Sequence, residues 1–183
     1  MLAEAYPDLQ PRFVEEQTQH LITRLRNGNL DLAIMALPSE ATGMVDSPLY
    51  TEKFSIVCPP DHPIAGREDV ELAELKDLDL LLLDDGHCLR DQVVDLCRHA
   101  NINPAEATNS VTRASSLTTI MQLVMGGLGC TLVPESALAT ECHGKDVAVA
   151  HFAPDVTAER EVGLVFRSSA ARAEEFREFG TLI

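Results

Sequence analysis

The sequence predicts an α/β protein, and three observations lead to that class. Short apolar runs such as residues 78–83 are bounded by turn residues, which is typical of buried strands. They are followed by apolar residues at helical spacing, as in Leu89, Val93 and Leu96. The breaker-rich segment 59–63 then indicates a crossover from a first unit into a second one. Strands that alternate with helices in this way predict sheets covered by helices.

The first unit is predicted to begin with short elements and to lead into two strands. Apolar residues over 30–37 form the first of these strands, and the turn residues of 38–43 end it. A second strand over 53–58 runs into the prolines of the crossover. Before both strands we expect a helix, a strand and a helix at about 1–6, 11–17 and 18–27.

The second unit repeats the alternation of strands and helices. We expect strands near 79–84, 107–112, 129–133 and 147–152, alternating with helices near 88–100 and 116–126. This order predicts a mainly parallel sheet that is covered on both faces. A last strand over 162–167 and an amphipathic helix over 170–179 are expected to return the chain to the first unit.

Composition and charge exclude several classes of protein. Apolar residues make up 45% of the chain, and no run approaches the length of a membrane span or a signal peptide. The formal net charge is −15, from 29 acidic and 14 basic residues, and there is no basic stripe to meet phosphates. We therefore expect a soluble cytoplasmic protein that has no contact with membranes and does not itself bind DNA.

The cysteines indicate a reducing compartment. Their number, five, is odd, and the chain is not a small disulfide scaffold, so the thiols are expected to be reduced at rest. No zinc-site spacing is present, and neither a metal nor another cofactor is expected. Cys130 lies in a predicted strand and is expected to be a core residue, whereas Cys142 lies in a polar loop as an exposed, incidental thiol.

Two further cysteines, Cys88 and Cys97, lie in one predicted helix, which holds their side chains apart. Gly86 ends the strand before them, so Cys88 opens the predicted helix and Cys97 lies well inside it. Nine residues along an α-helix correspond to a rise of about 13 Å and place the two side chains on roughly opposite faces. Because a disulfide requires Cα atoms within about 7 Å, joining them would unwind roughly two turns. Redox state and fold are therefore expected to be coupled.

The residues around Cys88 are suited to thiolate chemistry. Unpaired amide groups at a helix N-terminus, together with Arg90, favour the thiolate, which is the form that attacks peroxide. His87 and Asp91 are candidates to hold a peroxide molecule by hydrogen bonds, and Arg90 to stabilise the leaving hydroxide. Cys97 would capture the resulting sulfenic acid as a disulfide. The alternative is that the two cysteines are small apolar core residues that share a helix.

The cysteine segment resembles that of the peroxide-sensing members of the LysR-type transcriptional regulators. Residues 84–92 read Asp-Asp-Gly-His-Cys-Leu-Arg-Asp-Gln, and Cys97 follows at the family's spacing. The similarity extends to 29–34, which resembles the strand after the first regulatory helix, and to 116–119 and 126–134, which resemble a LysR-type passage from helix to strand. Nearly the whole chain is covered, but only the cysteine segment is specific to peroxide sensing.

The resemblance implies roles for individual residues. Cys88 would be oxidised by peroxide and Cys97 would resolve it, while His87, Asp91 and Thr18 would belong to the peroxide pocket. Thr18 is also placed to be the N-cap of the helix over 18–27. Arg160 resembles a family arginine near the same site, although an arginine at the edge of a strand is more often solvated.

The resemblance also implies an architecture of two Rossmann-like, periplasmic-binding-protein-like subdomains joined by two crossovers. Residues 1–58 and 161–183 would form subdomain I, and residues 59–160 would form subdomain II with the redox-active cysteines. The chain is expected to be an isolated regulatory domain that lacks the DNA-binding domain and the first sensor strand. The domain is not expected to be an enzyme.

The partners follow from the same resemblance. They are hydrogen peroxide, a second copy in an antiparallel homodimer, a tetramer in the full-length protein, promoter DNA through the absent domain, RNA polymerase and a thiol reductant that resets the sensor.

Two other functions are consistent with parts of the sequence. A metabolite-sensing LysR-type domain or a solute-binding domain would bind a small molecule in its cleft while the cysteines stay passive. Ligand binding with the thiols blocked would support it. A thiol peroxidase would share the thiolate chemistry but would turn over with a reductant, whereas a sensor is oxidised once per chain.

Overall fold

The computed structural model describes residue 4, residues 6–103 and residues 108–182, with 108–113 as backbone alone. The residues up to Thr51 and from Glu161 onwards form one compact unit, unit 1, and Glu52–Arg160 form unit 2. In chain order the helices and strands are α1 (Thr18–Arg26), β1 (Leu32–Leu37), β2 (Met44–Cys58), β3 (Leu80–Leu83), α2 (Cys88–His99), β4 (Thr108–Ala114), α3 (Leu117–Met125), β5 (Thr131–Pro134), α4 (Glu135–Glu141), β6 (Ala148–His151), β7 (Glu159–Arg167) and α5 (Ala173–Gly180), with a 3-10 helix at Leu72–Asp77.

Unit 1 is built on the antiparallel pair of β1 and β7, in which Ile34 lies opposite Leu164. Side chains alternate between the two faces of the pair, so each face has its own small core. One core packs Leu25 of α1 against Ala33. The other core packs Phe176 of α5 against Phe166, with ring centroids 5.4 Å apart in an edge-to-face arrangement. Helices therefore cover both faces of the pair.

In unit 2 most strands run in one direction, and one strand runs in the opposite direction. β3 pairs in parallel with β4 and meets β5 at a parallel bridge between Leu80 and Cys130. The second half of β2 runs antiparallel to both β5 and β6. Thus β3, β4, β5 and β6 share one direction, as the sequence predicts, and β2 runs against them. This content of helices and strands confirms the α/β class.

Two cores cover the faces of the unit 2 sheet. α2 contributes Val93, Leu96 and Cys97 to the core on one face. α3 contributes its buried side chains, including Ile120, to the core on the other face. These assignments follow from the helical spacing of the apolar residues, because side chains three and four apart lie on one side of a helix.

Several sequence predictions differ from the structure. The strand predicted at 11–17 is wrong, since this segment is exposed and has no assigned secondary structure; the side chain of Phe13 is 80% exposed. The strand predicted at 53–58 begins already at Met44, and two short helices, α4 and the 3-10 helix, were not predicted. Of the helix predicted at 1–6, residues 1–3 and 5 lie outside the described residues.

The chain crosses between the units after Thr51 and again after Arg160. The sequence placed the first crossing after Cys58, where the prolines begin. β2 instead continues without interruption through the crossing, so the proline-rich segment lies inside unit 2. Within the described ranges, no helix is long and apolar enough to span a membrane.

Candidate functional site

Cys88 is the first residue of α2, directly after a sharp turn from β3. Gly86 has a φ of +94°, a conformation that residues with a Cβ rarely adopt, and this glycine lets the chain reverse after the strand. His87 is the N-cap in an extended conformation, and its side chain makes no capping hydrogen bond. The first amide groups of α2 therefore receive no cap from His87. Cys88 is partly exposed beside them.

Cys97 lies in the same uninterrupted helix but in a different environment. Its side chain is fully buried in the core with Val93 and Leu96, and this burial raises the pKa of its thiol. Both cysteines are free thiols. The predicted separation is confirmed, because a continuous helix from Cys88 to His99 keeps the two sulfurs more than two turns apart.

Arg90 lies in the first turn of α2 and is engaged by carboxylates. Its Nη2 is 2.9 Å from Oδ1 of Asp85, and its Nη1 is 3.7 Å from Oδ1 of Asp91. The side chain of Asp91 is 66% exposed, and His87 is partly exposed. The structure therefore places His87, Cys88, Arg90 and Asp91 at one end of one helix, with the charge of Arg90 balanced by its neighbours.

Arg160 joins this group from the strand β7. Its Nε and Nη2 donate to Oε1 of Glu52 at 2.8 and 2.7 Å, and its Nη1 donates to Oε1 of Gln92 at 3.4 Å. Gln92 follows Cys88 by four residues, so both side chains lie on the same face of α2. The Arg160 side chain is only 18% exposed and lies over the ring of Phe54 at 5.9 Å. The interpretation of Arg160 as a solvated strand-edge residue is therefore wrong.

Glu52 is the buried anion of this network. Its other carboxylate oxygen accepts from the backbone amide of Ser136 at 3.0 Å. Burial alone raises the pKa of Glu52, but the hydrogen bonds from Ser136 and Arg160 outweigh it and hold the pKa below its ordinary value. Sequence reasoning missed Glu52, because its partner lies 108 residues away and no local pattern marks the pair.

Thr18 is the one predicted site residue that lies in unit 1. It is the first helical residue of α1, and the N-cap is Gln17, so the prediction of Thr18 as N-cap is wrong. Thr18 is partly buried. The remaining predicted residues, Cys88, Cys97, His87, Arg90, Asp91 and Arg160, all belong to unit 2.

A separate cavity of about 420 Å³ opens on unit 2. Its lining is mixed and includes the apolar Phe54 and Phe152 as well as the polar Lys53 and His151. Nδ1 of His151 is 3.0 Å from the hydroxyl of Ser55. Neither Cys88 nor Cys97 lines this cavity. Among the residues that the structure describes, no group of three or more histidine, cysteine or acidic side chains could hold a metal ion.

Sequence comparisons connect the chain with one family. The model of the LysR substrate binding domain matches residues 1–183. A "probable hydrogen peroxide-inducible genes activator" of Mycobacterium avium is 47% identical over 182 residues, which is 100% of this chain and 57% of the relative. The "DNA-binding transcriptional dual regulator OxyR" of Escherichia coli K12 is 36% identical, again over 100% of this chain and 58% of the relative. The chain thus spans a little over half the length of these relatives.

Solved structures agree with this result. A cysteine-to-serine variant of Corynebacterium glutamicum OxyR with bound hydrogen peroxide is 60% identical and superposes with a TM-score of 0.95, over 99% of this chain and 56% of that one. The oxidised form of the same organism's OxyR is 61% identical, with a TM-score of 0.85 over 99% of this chain and 56% of that one.

Proposed function

This chain belongs to the LysR substrate binding domain family, and from that premise we propose that it is the hydrogen peroxide-sensing regulatory domain of an OxyR-type transcription regulator. Its fold class is the α/β, periplasmic-binding-protein-like class of the OxyR regulatory domains. One observation carries the proposal: a single continuous helix holds a partly exposed thiol at its first residue and a fully buried thiol at Cys97.

The first chemical step takes place at Cys88. Its thiolate attacks one oxygen of hydrogen peroxide, an S–O bond forms, and the O–O bond breaks. The leaving hydroxide takes up a proton to become water, and the residue becomes a sulfenic acid. The first amide groups of α2 receive no side-chain cap from His87 and lie at the end of the helix where Cys88 reacts.

The neighbouring side chains would position the peroxide. Gln92 and Arg160 lie on the Cys88 side of α2 and are joined by a hydrogen bond, while Glu52 fixes the orientation of the guanidinium. His87 and Asp91 offer hydrogen-bonding groups in the same turn. Arg90 is paired with Asp85 and Asp91. These ion pairs suit it better to stabilising this turn than to binding the leaving hydroxide. Thr18 is assigned to the pocket by resemblance to the family.

The second step couples chemistry to conformation. The Cys97 thiol attacks the sulfur of the sulfenic acid, an S–S bond forms, and water leaves. In sum, two thiols and one peroxide give one disulfide and two waters. Because the helix separates the sulfurs, α2 must unwind and Cys97 must leave the core with Val93 and Leu96. Each buried side chain that is exposed costs about 1.5–3 kcal/mol.

The free-energy cost of unwinding α2 favours reduction of the disulfide back to two thiols. A disulfide that holds the domain in a less packed conformation has a higher reduction potential, by about 30 mV for every 1.4 kcal/mol. Cellular thiol reductants would therefore reset the sensor. The lower TM-score with the oxidised Corynebacterium structure than with the peroxide-bound variant supports a conformational change on oxidation.

The partners are part of the same proposal. The domain would form an antiparallel homodimer and, in the full-length regulator, a tetramer that binds promoter DNA through a separate domain and acts on RNA polymerase. Unwinding of α2 would rebuild an interface between subunits and rotate them. The protein would work in the cytoplasm and be oxidised stoichiometrically, without enzymatic turnover.

The test is thiol trapping and mass spectrometry after one equivalent of hydrogen peroxide, with far-UV circular dichroism in parallel. The native chain should form the Cys88–Cys97 disulfide and lose helical signal. Cys97→Ser should stop at the sulfenic acid, and Cys88→Ser should keep Cys97 as a free thiol. Cys142→Ser is the matched control and should behave as the native chain. Intact thiols in the peroxide-treated native chain would contradict the proposal and favour a metabolite sensor.

A further inference from the structure

Two more cysteines, Cys58 and Cys130, lie next to the last paired residues of two neighbouring strands in unit 2. β2 and β5 are antiparallel, and Val57 lies opposite Thr131 at the last step of their ladder. One further step places Cys58 opposite Cys130. Directly opposite residues project to the same face of a sheet, and both cysteines are indeed buried in the same core. The alternation is consistent along the strands, since that core also holds Phe54, Ile56 and Leu132, whereas the core on the other face holds Val57 and Val133.

The backbone hydrogen bonds identify the kind of pair. The amide of Cys130 donates to the carbonyl of Asp79 at 2.9 Å, and its carbonyl accepts from the amide of Leu81 at 2.8 Å. Both groups therefore point towards β3 and away from β2. Continuing the register of β2 and β5 by one step therefore gives Cys58 and Cys130 the positions of a non-hydrogen-bonded pair, the type in which opposite Cα atoms lie about 4.5 Å apart. Disulfides span Cα separations of about 4.4–6.8 Å.

We propose that Cys58 and Cys130 are a second redox pair, which excess hydrogen peroxide closes into a disulfide across β2 and β5. One thiol reacts with peroxide, an S–O bond forms, and water leaves after the O–O bond breaks. The other thiol then attacks that sulfur, an S–S bond forms, and a second water leaves. In the reduced chain the sulfur of Cys58 donates weakly to the carbonyl of Ala148 at 3.7 Å, so closure requires a rotation of this side chain.

Burial makes the reaction of this pair slow. Both side chains are fully buried, and burial raises the pKa of both thiols. The pKa of Cys130 reaches about 12, with Cys58 and Asp79 adding to the effect of burial. At neutral pH its thiolate fraction is therefore smaller than that of an ordinary thiol by on the order of a thousandfold. Oxidation must proceed through conformations that open the core.

The position of Cys97 suggests how that core opens. Cys97 belongs to the same core as Cys58 and Cys130. In the proposed function, on which this step rests, Cys97 leaves the core when α2 unwinds. The second pair would then lose part of its cover and become oxidisable. Its disulfide would join two strands of the sheet while a covering helix is displaced.

The first test isolates the pair from the proposed sensor chemistry. A chain with Cys88→Ser, Cys97→Ala and Cys142→Ser retains only the two cysteines in question. After excess hydrogen peroxide, we expect both alkylatable thiols to disappear together and a peptide linking Cys58 to Cys130 within one chain. Adding Cys58→Ala as a matched control should leave Cys130 alkylatable. Thiols that stay free in mild urea, or separate sulfinic and sulfonic acids, would overturn the proposal.

The second test distinguishes failure of this pair from failure of the sensor. Peptide mapping of the native chain and of Cys88→Ser follows the Cys58–Cys130 link over time, without any substitution in the core. The link should form in both chains and at least several times faster in the native chain. Equal rates would overturn the role of α2 unwinding, and a link from Cys97 to Cys58 or Cys130 in its place would overturn the pairing itself.

Discussion

Glu52 and Arg160 form a largely buried ion pair, which stabilises the fold only while both charges are present. The side chain of Glu52 is 6% exposed and receives hydrogen bonds from Arg160 and Ser136. Removing the charge of one member leaves the other desolvated and uncompensated. Losing one member of the pair therefore lowers the free energy of unfolding by more than the attraction between the two charges adds to it.

We predict that Glu52→Gln lowers the free energy of unfolding by about 1–3 kcal/mol, because Arg160 keeps its buried charge but loses the carboxylate. Urea denaturation at neutral pH measures the change. The matched control is Glu174→Gln, which removes the carboxylate of an exposed pair with Arg177 and should change stability by less than about 0.5 kcal/mol. Equal effects of the two substitutions would contradict the structural account.

The same pair predicts a pH dependence. Because the folded state lowers the pKa of Glu52, the unfolded chain binds the proton more tightly. The stabilisation is present above the ordinary glutamate pKa and is lost as the pH falls through the lowered value. The difference in unfolding free energy between the native chain and Glu52→Gln should therefore shrink in acid. If the difference stays constant from neutral to acidic pH, the predicted pH dependence of the Glu52–Arg160 pair is contradicted.

The sequence predicts local features of the site but not its long-range contacts. The separation of Cys88 and Cys97 follows from residues 86–97 alone, because helix geometry fixes it. The contact of Arg160 with Gln92 joins residues 68 apart and depends on how β7 lies beside α2. The residues around Arg160 in the sequence do not indicate whether its side chain is exposed to solvent or buried in the core.

α2 is the element whose stability controls the proposed sensor. It is predictable from sequence because its core residues recur at helical spacing and Gly86 marks its start. β2 is harder to predict, since its first half alternates between exposed and partly buried residues and contains Pro48. α4 has no fully buried residue, and therefore no strong apolar pattern indicates it.

We predict that Leu96→Ala makes the Cys88–Cys97 disulfide easier to form. Leu96 is 7% exposed in the reduced helix, and its truncation should destabilise that state by on the order of 3 kcal/mol. The disulfide state, in which this packing is already lost, is affected less. The reduction potential should become more negative by about 60 mV. Titration against glutathione redox buffers with thiol trapping measures it.

Ile120→Ala provides the control for that experiment. Ile120 is fully buried in α3, on the other face of the unit 2 sheet from the core of Leu96. Its truncation should lower the overall stability to a similar extent. The potential of the disulfide should stay near that of the native chain, because α3 takes no part in the unwinding. A shift of equal size in both variants would show that global stability, rather than α2, sets the potential.

At the scale of the whole molecule, the charge of the chain predicts that it does not bind DNA directly. The net charge of −15 repels the phosphate backbone, and affinity for DNA rests on cationic contacts that release counterions. Under the proposed function, the domain would act on a promoter only through a separate DNA-binding domain. The class of the fold is accessible from periodicity, whereas the crossing at Thr51 is not, because β2 continues through it.

We predict that this chain shows no saturable binding to duplex DNA at physiological salt, in either redox state. Fluorescence anisotropy with a labelled duplex tests this, and lowering the salt should not create binding, since like charges repel more strongly when screening is reduced. Binding that strengthens as salt is lowered would reveal a cationic surface and contradict the prediction.

In the proposed sensor, the distance between Cys88 and Cys97 along α2 would also set how long the sulfenic acid persists before the disulfide forms. After the first oxidation, Cys88 waits as a sulfenic acid until the helix opens, and during this interval a second peroxide molecule can carry it to the irreversible sulfinic acid. A tighter helix lengthens the wait and lets a high dose of oxidant silence the protein. A looser helix shortens the wait but lets weak oxidants trigger it. Under this proposal, the packing of Leu96 and Val93 would set the range of peroxide concentrations over which the domain responds without irreversible oxidation.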